Sequence, residues 1–287
     1  MFERFDRALK LGAACWRVLM LDKEMLLFPI MSALALAAIL GGTFYPLYAS
    51  GEAQAFLESL QDNPNPENDP RFLAIIFAIY FVSYFVMIYF NAALLACAMI
   101  RFAGSDPTLM DGLKVATRNL PQILAWAFVT ALVGFILEQI EQRLKGLASF
   151  FVSLLGAGWA VATYFAVPVL VVDGVGPIEA VKRSVAAVRK TWGEALVGHI
   201  GLGALNFISF IVALPLLFVG FMQIETSPET AVIAFAIAGS WIVFCSVVIT
   251  TLSAILRAAL YIYAVEGQMP VNFDSTLIRN AFQPKKR

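Results

Sequence analysis

One histidine, His199, and three cysteines, Cys15, Cys97 and Cys245, are the whole supply of soft metal ligands in this chain. A zinc site takes three or four such ligands at set spacings, and neither an HExxH nor a CxxC pair occurs, so no metal is expected. No G-x-S-x-G elbow and no phosphate-binding glycine loop is present either. An embedded enzyme would have to draw on Asp173, Lys182, Arg183, Glu194 and His199, the only dense polar set. No catalytic residue and no cofactor is assigned, and catalysis is the disfavoured class.

What remains is a chemistry of headgroups and helix contacts. Arg257 lies inside a long apolar run, nine residues before Glu266 and so about 13 Å along an ideal helix. Two readings are open for it: snorkelling to the interface, or holding an anionic lipid headgroup between helices together with Arg101. Lys182 and Arg183 are candidate contacts to the same headgroups. Asn91, Asn206 and His199 lie within apolar runs and are candidates for hydrogen bonds across helices. No carboxylate falls in the middle of a run, which argues against proton- or sodium-coupled carriage. A proline, Pro168, is expected to kink the fourth run near its end.

The elements that must position these residues follow from composition. Of the 287 residues 60% are hydrophobic and 14% charged, with mean hydropathy +0.80, against about half and a quarter in soluble domains. A soluble domain is therefore excluded, and the balance of 20 bases with 20 acids gives no sign of a nucleic-acid partner. Six stretches meet the ~20 apolar residues of a membrane helix, at about 25–48, 72–103, 121–138, 147–172, 195–222 and 231–265. The fold class is all-α, a polytopic membrane protein read as a single domain over 1–287. The apolar run from Met25 is long enough to span, so the first helix reads as retained and not as a signal peptide.

Orientation follows from the bases. Arg4, Arg7, Lys10, Arg17 and Lys23 precede span one, Arg101, Lys114 and Arg118 follow span two, Lys182, Arg183, Arg189 and Lys190 follow span four, and Arg279, Lys285, Lys286 and Arg287 follow span six. Only Arg71, Arg143 and Lys145 fall on the other side. The positive-inside rule then places both termini in the cytoplasm. The outer connection at 49–71, with its run DNPNPENDP, reads as a solvated acidic loop.

A repeat lies on the basic side. Gly104-Ser-Asp-Pro107, Gly174-Val-Gly-Pro177 and Gly267-Gln-Met-Pro270 each follow an even-numbered span, where glycine suits a helix end and proline the start of the next. Beyond the second motif Ile178, Val181, Val185, Val188 and Trp192 recur at spacings of a helical face, with bases on other faces. Phe2, Phe5, Leu9, Gly12 and Trp16 repeat the pattern 176 residues earlier, and Leu109, Leu113, Ala116 and Leu120 give a shorter version. The unit is an interfacial helix plus a helical hairpin, used three times, with interfacial segments at 1–22, 107–120 and 177–192 and a closing half-unit at 270–282.

The segments FERFDRALKLGAACWRVLMLDKEMLLFPIMS and FAVPVLVVDGVGPIEAVKRSVAAVRKTWGEALVG resemble an uncharacterised prokaryotic family of six-helix integral-membrane proteins. The hairpin-plus-interfacial-helix pattern is more distantly similar to the membrane domain of bacterial glycerophosphodiester phosphodiesterases, and to small membrane proteins of envelope-lipid homeostasis. The chain has no phosphodiesterase domain, so that activity does not carry over. The resemblance implies a prokaryotic inner-membrane protein and supports topology. The expected function is non-catalytic: binding, moving or organising lipid-like molecules or partner proteins at the inner leaflet. Anionic lipid is the expected partner, with a membrane protein or a second copy as a further one. A small-solute channel or exporter and a structural subunit of a membrane complex are the alternatives.

Overall fold

The computed structural model describes residues 2–61, 68–144 and 147–267. Ten α-helices follow one another among them: α1 (Phe2–Leu21), α2 (Leu27–Ala49), α3 (Glu52–Gln61), α4 (Pro70–Phe102), α5 (Leu109–Arg118), α6 (Leu120–Arg143), α7 (Leu147–Ala162), α8 (Ala166–Asp173), α9 (Pro177–Met222) and α10 (Pro228–Glu266). A single 3-10 turn, Lys23–Leu26, joins α1 to α2, and no strand occurs among the described residues. Six segments are long and apolar enough to cross a membrane: Lys23–Ala49, Pro70–Phe102, Leu120–Arg143, Ser149–Asp173, Leu202–Met222 and Pro228–Val265. The chain is an all-α polytopic membrane protein. At 33 and 39 residues, α4 and α10 are about 50 and 58 Å long, well beyond a ~30 Å hydrocarbon core.

The G-x-x-P glycines end helices as their spacing predicts. Gly104, Gly174 and Gly267 have φ of +86°, +62° and +67°, the left-handed region open to glycine. Behind α4 the Gly104 N–H donates to Arg101 O and the Ser105 N–H to Ile100 O, the paired bonds of a Schellman motif. After α8 and α10 a single bond suffices, from Gly174 N–H to Leu170 O and from Gly267 N–H to Tyr263 O. The third motif's proline and the segment 270–282 lie outside the described residues. Past Gly104, Thr108 and Asp111 exchange side-chain-to-backbone bonds in a capping box that starts α5. A Cβ at Gly174 would meet only Asn119 Oδ1, at 3.8 Å. Gly174→Ala should therefore lose only the left-handed penalty of about 1 kcal/mol, read as a small drop in melting temperature in detergent.

The fourth span is two helices. The break falls at 163–165, one turn before Pro168, because proline at 168 has no N–H for the carbonyl of Tyr164 and its ring crowds that carbonyl. The Phe165 N–H released by the break donates to Ser184 Oγ at 3.0 Å, and both residues are fully buried. In α9, Thr191 leaves helical geometry at φ −119°, ψ 16°, so the basic segment bends away from the span that follows.

The chain folds as two compact units. One holds Met1–Leu27, Leu94–Asp111 and Ala187 onward, and the other holds Phe28–Ala93 and Gly112–Ala186. The first buries Leu11, Ala14, Cys15, Val18 and Leu19 of α1, which packs along α10, together with Leu94–Ala98 of α4 and Ala254–Leu256 and Ala258–Tyr261 of α10. The second buries Ile123, Trp126, Ala127 and Ala131 of α6, Phe165–Ala166 and Val169–Leu170, and Ala92 and Ala93 of α4. In both, close packing gathers near the glycine turns. No apolar residue from Pro70 to Phe85 is buried, and in α10 from Pro228 to Thr250 only Ala231, Ala234 and Ala238 are.

The interfacial helices are turned differently from the lines in the sequence. In α1 the buried stripe runs through Leu11, Ala14, Cys15, Val18 and Leu19, roughly 140° around the helix from the Phe2-to-Trp16 line at 3.6 residues per turn. In the first part of α9, Ala180, Ser184, Ala187, Val188 and Thr191 are buried, while Ile178 is 74% exposed. In α9 the packed face is mostly small, which lets the helix approach closely, whereas α1 packs through Leu11, Val18 and Leu19 as well as Ala14 and Cys15. Shifting by 176 residues superposes buried Leu11 and Cys15 on buried Ala187 and Thr191 but buried Ala14 on exposed Lys190, so the two packed faces coincide only in part. The side chains of Phe2, Phe5, Leu9 and Trp192 lie outside the described residues.

Candidate functional site

The four candidate cations have different surroundings. Arg101, in the last turn of α4, keeps only 16% of its side chain exposed. Its Nε donates to Asp22 Oδ2 at 2.5 Å, and its Nη2 bonds both Asp22 Oδ1 and Asp106. Asp22 is itself buried, at the position just before the 3-10 turn that follows α1, and its carboxylate makes no capping bond to that turn. The fork of a guanidinium fits a carboxylate in two parallel bonds, so this pair ties α1 to α4 across 79 residues of sequence. Asp106, exposed on the Gly104 turn, gives the guanidinium a second carboxylate partner. Arg101 thus holds protein carboxylates.

Arg183 is half-exposed and bridges Asp173 Oδ2 at 2.7 Å and Glu179 Oε1 at 3.0 Å. The two bonds from Asp173 and Glu179 raise its already high pKa and fix the start of α9 to the end of α8. Within the dense polar set, the structure therefore brings together Asp173 and Arg183. Lys182 beside them is exposed and points away from the buried face. The side chains of Glu194 and His199 lie outside the described residues. Arg257 is half-buried in α10 between the fully packed Ile255, Leu256 and Ala258, Ala259, Leu260.

Asn91 is half-buried in α4, and its Oδ1 is buried with no partner among the described residues. Asn206, by contrast, is exposed on α9 between exposed Leu205 and Phe207. Two polar residues that periodicity did not single out do cross between helices. Asn119 Nδ2 donates to Val115 O at 3.0 Å and Val171 O at 3.4 Å, and Gln122 Nε2 donates to Gly174 O at 3.2 Å, so α6 is tied to the end of α8. Among the described residues no group of three His, Cys, Asp or Glu converges as a metal site. Burial pushes the Cys15 thiol up to about 12, so it stays protonated inside the α1 packing.

The surface these elements leave outward is basic and apolar together. On α1 Trp16 is 45% exposed beside exposed Arg17 and Met20. On the start of α9, exposed Ile178 shares the helix with exposed Lys182 and Arg189. Lys190 instead donates to Ala264 O at 3.2 Å, a cation on the carbonyl end of α10. An apolar ring or aliphatic group between bases is the arrangement that lies at a headgroup boundary, the ring at ester level and the cations toward anionic lipid.

A family model described as a family of unknown function, DUF6159, matches residues 71–271, well over half of the chain, and the chain belongs to that family. No curated protein matches it. The phosphodiesterase likeness accordingly rests on the hairpin pattern alone.

Proposed function

From membership of a family with no assigned activity, we propose that this protein is a non-catalytic membrane module that binds anionic, lipid-like molecules at the inner leaflet of a prokaryotic cytoplasmic membrane. Both termini are read as cytoplasmic because the bases gather on that side. One observation carries the reading: α1 and the first part of α9 pack through small or aliphatic stripes and turn Trp16, Ile178 and the bases Arg17, Lys182 and Arg189 outward. A helix whose only task is to brace the bundle has no reason to keep large apolar groups and cations on its free face. Arg257 is read as the deeper contact, reaching the headgroup level from within α10.

The test is lipid mass spectrometry on protein purified gently into nanodiscs of mixed zwitterionic and anionic phospholipid. Wild type should retain anionic lipid above its bulk share. At ~1 kcal/mol per juxtamembrane base, Arg257→Ala should lower that enrichment about five-fold and a Lys182→Ala/Arg189→Ala pair about thirty-fold. The same lipids in the same amounts in all three would refute the reading. A protein partner co-purifying in place of lipid would favour the structural-subunit alternative, with exposed Asn206 as the polar group such a partner's helix would meet.

A further inference from the structure

The last third of α10 reaches the surface along one line. From Thr251 to Tyr261 every residue is buried except Ser253 and Arg257, which lie one turn apart. Thr250, one turn before Ser253, is exposed, and Ser246 before it is half-exposed. These four follow one another at spacings of 4, 3 and 4 and fall within an arc of about 60° at 3.6 residues per turn. Thr251 lies off that line, and its hydroxyl donates back to Val247 O at 2.8 Å. Where α1 and the 3-10 turn after it pack along α10, a polar seam is thus left open among buried neighbours.

Depth matches the seam to one kind of molecule. Glu229 stands in the first turn of α10, and a ~30 Å core counted from just past it takes about 20 residues, ending close to Thr251. Close packing of α10 begins at that same residue. Thr250 and Ser253 therefore stand at the ester level of the leaflet, the inner one on the reading above. Arg257 follows ~9 Å further along. Helical side chains lean toward the N-terminus, here the bilayer side, which brings its guanidinium back into a headgroup layer about 5–7 Å thick. Hydroxyls at ester level can donate to carbonyl oxygens, and the guanidinium fork fits a phosphate. In a phosphoglyceride the glycerol backbone sets the ester carbonyls a few bonds from the phosphate, about one helical turn of 5.4 Å. Ser253 and Arg257 are one turn apart, and exposed Val243 above the seam offers apolar surface to an acyl chain.

We propose that the seam of Thr250, Ser253 and Arg257 binds a diacyl phosphoglyceride, its phosphate on Arg257 and its ester carbonyl oxygens accepting from the hydroxyls of Thr250 and Ser253. The proposal rests on the headgroup reading, in which Arg257 is the deeper contact, and goes beyond it by naming the lipid's backbone: the ester carbonyls are recognised as well as the charge. A polyprenyl phosphate, a diether lipid or free phosphate carries the charge without those carbonyls and meets Arg257 alone.

The experiment places the protein in nanodiscs holding equal amounts of diester and diether phosphatidylglycerol, of the same chain length, in a background of zwitterionic diether lipid. Loosely held lipid is exchanged away, and each lipid retained per protein is counted by mass spectrometry. Wild type should retain the diester at least about five-fold over the diether, the equivalent of one hydrogen bond of ~1 kcal/mol. Thr250→Val/Ser253→Ala, which alters no buried residue, should retain the two equally and still enrich both over the zwitterionic lipid through Arg257. Arg257→Ala should lower both together, about five-fold. Ser240→Ala, which removes an exposed hydroxyl off the seam, should keep the wild-type preference. Equal retention of diester and diether by wild type, or an unchanged preference in the double variant, overturns the inference and leaves the headgroup reading standing. No enrichment of either phosphatidylglycerol in wild type defeats both.

Discussion

Asp22→Ala should lower the stability of the protein by roughly 3 kcal/mol, the cost of leaving a nearly buried guanidinium short of its main partner. Asp22 is 7% exposed and accepts from two nitrogens of Arg101, whose side chain is itself largely covered. Asp106 survives in the variant, but it is exposed and holds Arg101 through Nη2 alone. Asp106→Ala should therefore cost under ~1 kcal/mol, as surface pairs do. The order of the two variants is the test, read by thermal unfolding in one detergent with tryptophan fluorescence. Replacing both charged partners, Asp22→Leu with Arg101→Met, should recover most of the loss, since apolar groups of similar volume need no counter-charge. Equal melting temperatures for Asp22→Ala and Asp106→Ala would show that the pair does not hold α1 to α4.

Much of this was visible in the sequence, and the divisions have physical causes. Six spans and three glycine turns are properties of short windows, and windows of ~20 apolar residues or a glycine past a helix end say what they are without their neighbours. Arg101 was visible as a cation at a span end, but its partner was not. Asp22 sits in LDKEMLLFP as one acid among ordinary helix-end polarity, and 79 residues separate it from Arg101. Asn119 and Ser184 escaped for the same reason: each satisfies a backbone group far along the chain, Val171 O and Phe165 N–H, and no periodicity marks such an acceptor or donor. Pro168 did announce the break in the fourth span, displaced by the one turn over which proline crowds the preceding carbonyl.

The face of α1 is where periodicity and packing part, and the difference is measurable. Phe2, Phe5, Leu9, Gly12 and Trp16 form the more apolar line by residue size, yet the stripe that packs is Leu11, Ala14, Cys15, Val18 and Leu19. A helix between a protein and a bilayer has two apolar neighbours, so the largest groups mark one of its two buried faces and do not say which. Leu19 is fully buried, and Leu19→Ala should cost about 2–5 kcal/mol through lost contacts and the cavity left behind. Trp16→Ala removes a larger side chain but one 45% exposed, and in detergent it should cost under ~1 kcal/mol, the usual range away from a packed site. In nanodiscs bearing lipids brominated near the ester level the ranking reverses for a different observable. Trp16→Phe should remove part of the fluorescence quenching that wild type shows, while Leu19→Ala leaves quenching per folded molecule unchanged. A large melting-temperature loss for Trp16→Ala, or quenching indifferent to Trp16, would turn the helix over and place its basic face against protein. The headgroup reading would then lose its main support.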